Sequence, residues 1–348
     1  MGDRRSDLQR DATAVTTIKA LALLIFFYPV RWGARLLPWG AALAVGSALG
    51  HVHAWLVRDA MARRIREGIE AVITDDWPEH RIDHVVRCNL VMRYRHLIES
   101  FLYGRLNEDR IERLVPAVEG RPYLDEALGG GKGAILLASH FGSFGMLIAG
   151  LVHRGYRVHQ VLTLAPPPPY RTWRWVDRAV MRVKLRCWRH ERLSLTWWTP
   201  GAYLRPLYRA LRRGEILVVY GDAARGGEFV NAEFMGRSLG FSAGPFRIAA
   251  AAGVPLIPAF ILRGKGGTHR IVLEPPIVVR ADDASSVREG VERYAALLSS
   301  YVRAYPDHWY TWARLGRASP GVVELERAPG TVPLSDFHHS RELGVSGR

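Results

Sequence analysis

The segment Ala134 to Gly145, AILLASHFGSFG, holds the residue types best arranged for chemistry. A short apolar run of buried-strand length ends at His140, and Gly142, Ser143 and Gly145 open the next element. Imidazole titrates near neutrality and is well suited to take a proton from a hydroxyl as that hydroxyl attacks. At the carboxyl end of a strand it would stand where open α/β sheets bind their ligands. A helix beginning at Ser143 would add unpaired backbone N–H groups for a phosphate or a developing oxyanion. The plainer alternative is a histidine that caps the helix or closes a turn.

Other residues offer binding chemistry. Arg225, Arg237 and Arg247 carry planar donor forks suited to phosphate; each is also compatible with an ordinary surface position. Gly236-Arg237-Ser238-Leu239-Gly240 matches G-x-S-x-G, the nucleophile elbow of serine hydrolases, with Asp282 or Asp283 and His308 as partners. That elbow needs a helix at once after the serine, and Phe241 to Pro245 interrupts one. Gly129 to Gly133 lacks phosphate-loop spacing and precedes its strand. Cys88 and Cys187 form no CxxC pair, and the pairs His51/His53 and His338/His339 lack companion ligands, so no metal site is expected.

The elements that would position these groups can be read from periodicity. Residues 58–128 space their apolar side chains at three and four, the helical period. From Gly129 onward strands and helices alternate. Strands are expected at Ala134–Ser139, Tyr156–Leu164, Ile216–Tyr220, Glu228–Met235, Leu256–Leu262 and Arg270–Leu273. Helices are expected at Phe144–Arg154, Tyr170–Arg186, Gly201–Arg213, Gly244–Ala252 and Val287–Ala304, with Ala165–Pro169 a loop. This alternation implies an α/β fold, a mostly parallel central sheet flanked by helices.

Composition narrows the partners. With 48 Lys+Arg against 33 Asp+Glu the chain carries +15, which favours an anionic membrane surface or nucleic acid. No nucleic-acid motif is present, and the apolar amino-terminal region argues for the membrane. Ala20–Val30 is uncharged but short for a span. Leu36–Val57 is long enough, since crossing takes roughly 20 apolar residues. Arg and Trp at the edges suit an uncleaved interfacial anchor, of a depth these residues leave open. Asp3, Asp7 and Asp11 argue against a cleaved signal. The expected organisation is an anchor at 1–60, a helical subregion at 61–128, an α/β core at 129–316 and a mobile tail at 317–348.

SHFGS, GDAARGGEFVNAEFMGR, SAGPFRIAAAAGVPLIPAF, EPPI and YPDHWYTWAR, in this order behind an apolar anchor, resemble the bacterial lipid A biosynthesis acyltransferases of the lysophospholipid acyltransferase superfamily. The resemblance implies O-acyl transfer from an acyl-carrier-protein or acyl-CoA thioester to a hydroxyl of an anionic glycolipid or lipid A-like acceptor. It implies the cytoplasmic face of a bacterial inner membrane, no metal and no bound cofactor. It makes His140 the general base, and Ser143, Arg225, Arg237, Gly244 and Arg247 candidate substrate contacts. The family pairs its histidine with a carboxylate five residues later, and here that residue is Gly145. Three readings remain. Another carboxylate takes over, with Asp222 first and Glu228 and Glu233 after it; the acceptor supplies its own base; or the protein binds lipid without transferring anything.

Overall fold

The computed structural model describes residues 16–56, 60–73, 77–163, 174–198, 204–222, 228–280, 283–319 and 322–325. Apolar runs between glycine and proline form its strands. Strand β2 (Ala134–Ala138) is buried throughout, and β8 (Leu256–Arg263) is buried up to its last residue. Strands covered on both faces belong to a parallel sheet sandwiched by helices. Together with β1 (Ala117–Glu119), β3 (Val158–Thr163), β4 (Leu193–Trp198), β5 (Ile216–Tyr220) and β9 (His269–Leu273), they form a seven-stranded sheet ordered β1-β9-β8-β2-β5-β3-β4. Only β8 and β9 pair antiparallel. The fold is α/β, as the alternation predicts; β1 and β4 are additions at the two edges.

Eleven helices of seven or more residues are described among these residues: α1 (Thr16–Leu36), then α2 (Trp39–Leu56), α3 (Ala60–Val72), α4 (Glu79–Leu102), α5 (Glu108–Leu114), α6 (Arg121–Gly129), α7 (Phe144–Val152), α8 (Arg174–Cys187), α9 (Arg205–Arg212), α10 (Gly244–Ala252) and α11 (Ala284–Ala304). Local chemistry starts several of them. The Asn107 side chain accepts from Arg110 N at the head of α5, and Asp283 accepts from the Ser285 and Ser286 N–H groups at the head of α11. One apolar core packs α3, α10 and α11 against the sheet. A second packs α5, α6 and α7 against its other face. A third joins α1 to α4 and α8.

Two expectations change. The amino-terminal run that looks too short for a span lies in a helix of 21 residues, and α1 is the single unbroken helix among the described residues that is long and apolar enough to cross a membrane. Pro29 cannot donate a backbone bond, and it sits in a π-helical stretch, Phe26–Val30, that keeps α1 continuous. At the other end, residues 317–319 and 322–325 of the tail expected to be mobile are strand, and the rest of that tail lies outside the described residues. Segments β10 (Leu315–Ser319) and β11 (Val322–Leu325) join β6 (Phe229–Phe234) and β7 (Arg237–Ser242) in a second sheet, ordered β10-β11-β7-β6.

Candidate active site

Strand register builds the centre. β2 and β5 run parallel with Ala138 opposite Tyr220, and the Gly221 N–H donates to Ala138 O at 2.8 Å. Two residues further along each strand, His140 and Asp222 must therefore meet. They do: His140 Nδ1 lies 2.8 Å from Asp222 Oδ1, and the His140 N–H donates to Asp222 Oδ2 at 2.9 Å. The imidazole keeps 29% of its side chain exposed, whereas the carboxylate is fully buried. Tyr220 stacks on the ring at 4.5 Å and Phe144 meets it edge-on at 5.5 Å.

Asp222 is held from a third direction. Trp309 Nε1 and Thr311 Oγ1 each donate to Oδ2 at 2.9 Å. The segment carrying them is clamped in turn. Gly142 N–H donates to His308 O and Tyr310 N–H to His140 O, both at 2.8 Å. From α4, Asn89 Nδ2 donates to Trp309 O at 2.8 Å and Arg93 Nη2 to Tyr310 O at 2.5 Å. Burial alone would raise the Asp222 carboxyl, but attraction to the His140 ring and the donated bonds outweigh it and hold the group below its ordinary range. A charged, fully satisfied carboxylate can fix ring orientation and tautomer. At Gly142, φ is +57° and a Cβ would come within 2.0 Å of Ile261 O, so glycine is required for this loop to reach the segment.

Behind the loop lies a buried ionic cluster. Glu99 of α4 accepts from Arg263 Nη2 and from His269 Nε2, each at 2.9 Å, and from the Ser143 hydroxyl. Its burial would raise the carboxyl, yet Arg263 and His269 together hold it well below the usual range. Beside the cluster Tyr103 fills the space at Gly145, where a Cβ would meet the phenol oxygen at 2.1 Å.

The profile of the bacterial lipid A biosynthesis acyltransferases matches residues 14–315. The chain belongs to that family. Compared with curated proteins, it has no significant match. As a lipid A-type acyltransferase it departs from the His-x4-acid pairing through Gly145, and the vacated place is taken by Tyr103 while Asp222 faces the ring from the neighbouring strand.

The remaining candidates of this acyltransferase are dispersed. Ser143 is buried with its hydroxyl turned to Glu99, behind the imidazole. Arg225 lies outside the described residues, as does Asp282. Arg237 opens β7 opposite Phe234. Gly244 begins α10 and donates its N–H to Ser242 Oγ at 3.3 Å. Arg247 is half exposed and forms a two-bond pair with Glu228, at 2.8 and 2.6 Å. Ser238 is corrected: it sits within β7, paired with Glu233 and Val322, and the turn before it is a tight hairpin. Met235 and Gly236 take φ of 56° and 88° there, the geometry of a two-residue hairpin loop and not of a strand-to-helix elbow. Sequence reasoning misses Trp309, Thr311 and Glu99. A donor pair two residues apart in YPDHWYTWAR, and an acid inside the apolar stretch LIESFL, are the signals that could have found them.

Proposed function

We propose that this acyltransferase moves a fatty acyl group from a carrier-protein or coenzyme A thioester to a hydroxyl of an anionic glycolipid at the cytoplasmic face of the inner membrane. The observation that carries the reading is the 2.8 Å contact between His140 Nδ1 and a buried, hydrogen-bond-saturated Asp222. An ionised Asp222 accepts a hydrogen bond from Nδ1–H, fixing that tautomer and leaving the Nε2 lone pair for the acceptor hydroxyl. Nε2 takes the hydroxyl proton as the oxygen attacks the thioester carbon. The imidazolium formed is stabilised by the adjacent carboxylate. The tetrahedral oxyanion collapses, the carbon–sulfur bond breaks, and the departing thiolate recovers the proton from Nε2. One ester and one thiol result. The N–H groups of Phe144 and Gly145, in the first turn of α7 four and five residues after His140, are the proposed oxyanion donors.

A shallow, half-open cleft borders Gly145, between α7 and the segment after α8. Leu106, Ile148, Val152, Trp188 and Leu193 line it together with His153, Arg189 and His190, and its apolar part is the proposed point at which the fatty chain enters. An assembled pair favours turnover over a silent lipid-binding relative. The test is in vitro: purified protein, palmitoyl thioester and a hydroxyl-bearing lipid A precursor, with free thiol and acylated lipid measured together. Equal release of both by wild type, and neither by His140→Ala, is expected. Lipid binding without thiol release from any of several acyl lengths would favour the silent relative.

A further inference from the structure

Two adjoining helices present faces that water does not favour. Along α1 the outward side chains are Ile18, Leu21, Ile25, Tyr28, Trp32 and Leu36, between 37% and 82% exposed. Steps of three and four residues place them in one stripe. The opposite face buries Ala20, Phe27 and Ala34 against Phe101 and Leu102 of α4 and Val176 and Val180 of α8. α2 repeats the pattern. Val45, Val52 and Trp55 point outward, while Gly46 and Gly50 lie so close to α4 that a Cβ would meet the backbone of Arg95 and Val91. No Asp, Glu, Lys or Arg stands between Lys19 and Arg31, nor within α2. Beside the stripe, α8 exposes Trp175, Arg178, Arg182 and Arg186, again at helical spacing.

Attachment along its length decides how α1 can meet a bilayer. Crossing requires about 30 Å of helix surrounded by lipid or by other spanning segments. From Ala20 to Ala34, about 21 Å at 1.5 Å per residue, α1 is fixed to a body whose α8, packed on it through Val176 and Val180, exposes Arg178, Arg182 and Arg186. Too little free length remains for a crossing. We propose that α1 and α2 lie in the plane of an anionic membrane surface. Their outward stripes enter the acyl-chain boundary, Trp32, Trp55 and Trp175 sit at headgroup depth, and Arg178, Arg182 and Arg186 engage the phosphates. This seat is independent of acyl transfer, and its test does not read turnover.

Spin labels at Leu21→Cys, Ile25→Cys and Trp32→Cys, in a Cys88→Ser/Cys187→Ser chain, are placed on vesicles of phosphatidylglycerol and phosphatidylethanolamine. Oxygen and nickel-chelate accessibility then gives the depth of each. One shared shallow depth is expected. A spread of about 16 Å between positions 21 and 32, the rise of a crossing helix, would overturn the proposal. So would water-exposed labels on vesicles, or label–label broadening without lipid, which would assign the stripe to a second copy. With native cysteines, Arg178→Gln/Arg182→Gln/Arg186→Gln should bind anionic vesicles roughly 100-fold more weakly, at about 1 kcal/mol per cation, and neutral vesicles unchanged. Equal binding of wild type to both vesicle types would contradict the charged half of the seat.

Discussion

Replacing Asp222 by asparagine alters almost no volume, yet the geometry assigns it a large cost. Among the described residues, Oδ2 accepts three bonds, from His140 N, Trp309 Nε1 and Thr311 Oγ1, whereas Oδ1 accepts one, from His140 Nδ1. The introduced amide will therefore set its oxygen toward the three donors and its NH2 toward the ring. That NH2 can only donate, so Nδ1 must become the acceptor and the proton moves to Nε2, the atom meant to act as base. In the serine-protease triad, where an orienting aspartate is changed the same way, turnover falls by about 10⁴, which is roughly 5 kcal/mol of barrier. Three of the four bonds keep their direction and the fourth reverses, but the carboxylate charge is lost, so folding should lose about 1.5–3 kcal/mol, the range for a bond to a charged group. The assay is steady-state acyl transfer over a range of acceptor concentrations, with thermal unfolding alongside. In Asp222→Asn, kcat should fall by about 10³–10⁴ with KM little changed. The double variant with His140→Ala should be no slower than His140→Ala alone. A fall in kcat of less than tenfold in a folded Asp222→Asn protein would refute the tautomer argument.

Further predictions concern the surroundings. Gly145→Asp restores the family's spacing on paper, but its Cβ collides with Tyr103. It should lower the melting temperature by about 1–4 °C, from about 1–3 kcal/mol of overpacking, without raising kcat, and Tyr103→Ala should recover part of that loss; faster turnover by Gly145→Asp would show that Asp222 is not the partner. Glu99→Gln strands Arg263 in the interior and should cost about 3–5 kcal/mol in urea unfolding. Because Glu99 is held below its ordinary value of 4.5, its stabilisation is complete above that pH and is lost as pH falls below it; the variant should therefore show a flatter acid limb, and parallel limbs would contradict the assignment. Ser238→Ala should leave turnover within twofold of wild type, and loss of activity would revive the hydrolase reading.

Legibility tracks the range of the interaction. His140 can be found because a buried run such as AILLA has few destinations other than a central strand, and the end of that strand fixes where the next residues stand. Asp222 can be named because Ile216–Tyr220 reads as another such strand, and neighbours in a parallel sheet end together. Trp309 and Thr311 cannot, since they reach Asp222 across 87 and 89 residues with no shared period. Glu99 is hidden by its own helix, where an acid among Arg95, His96 and Ser100 resembles a solvated face. The second sheet escapes notice because Met235-Gly236 is an unusual hairpin dipeptide, and a match to G-x-S-x-G draws attention elsewhere. Helices α1 and α2 illustrate the converse. Hydropathy marks both as apolar, but the division of each into a packed and an outward face depends on α4 and α8, which periodicity alone does not place beside them.

Quantitative mass spectrometry of membrane lipids puts His140-dependent acyl transfer to its sharpest test. Cells lacking the gene are compared with cells carrying the wild type or His140→Ala at matched protein levels. One lipid class, heavier by a single fatty acyl group, should be present with the wild type and absent, equally, from the other two. Restoration of that class by His140→Ala would contradict catalysis by this imidazole.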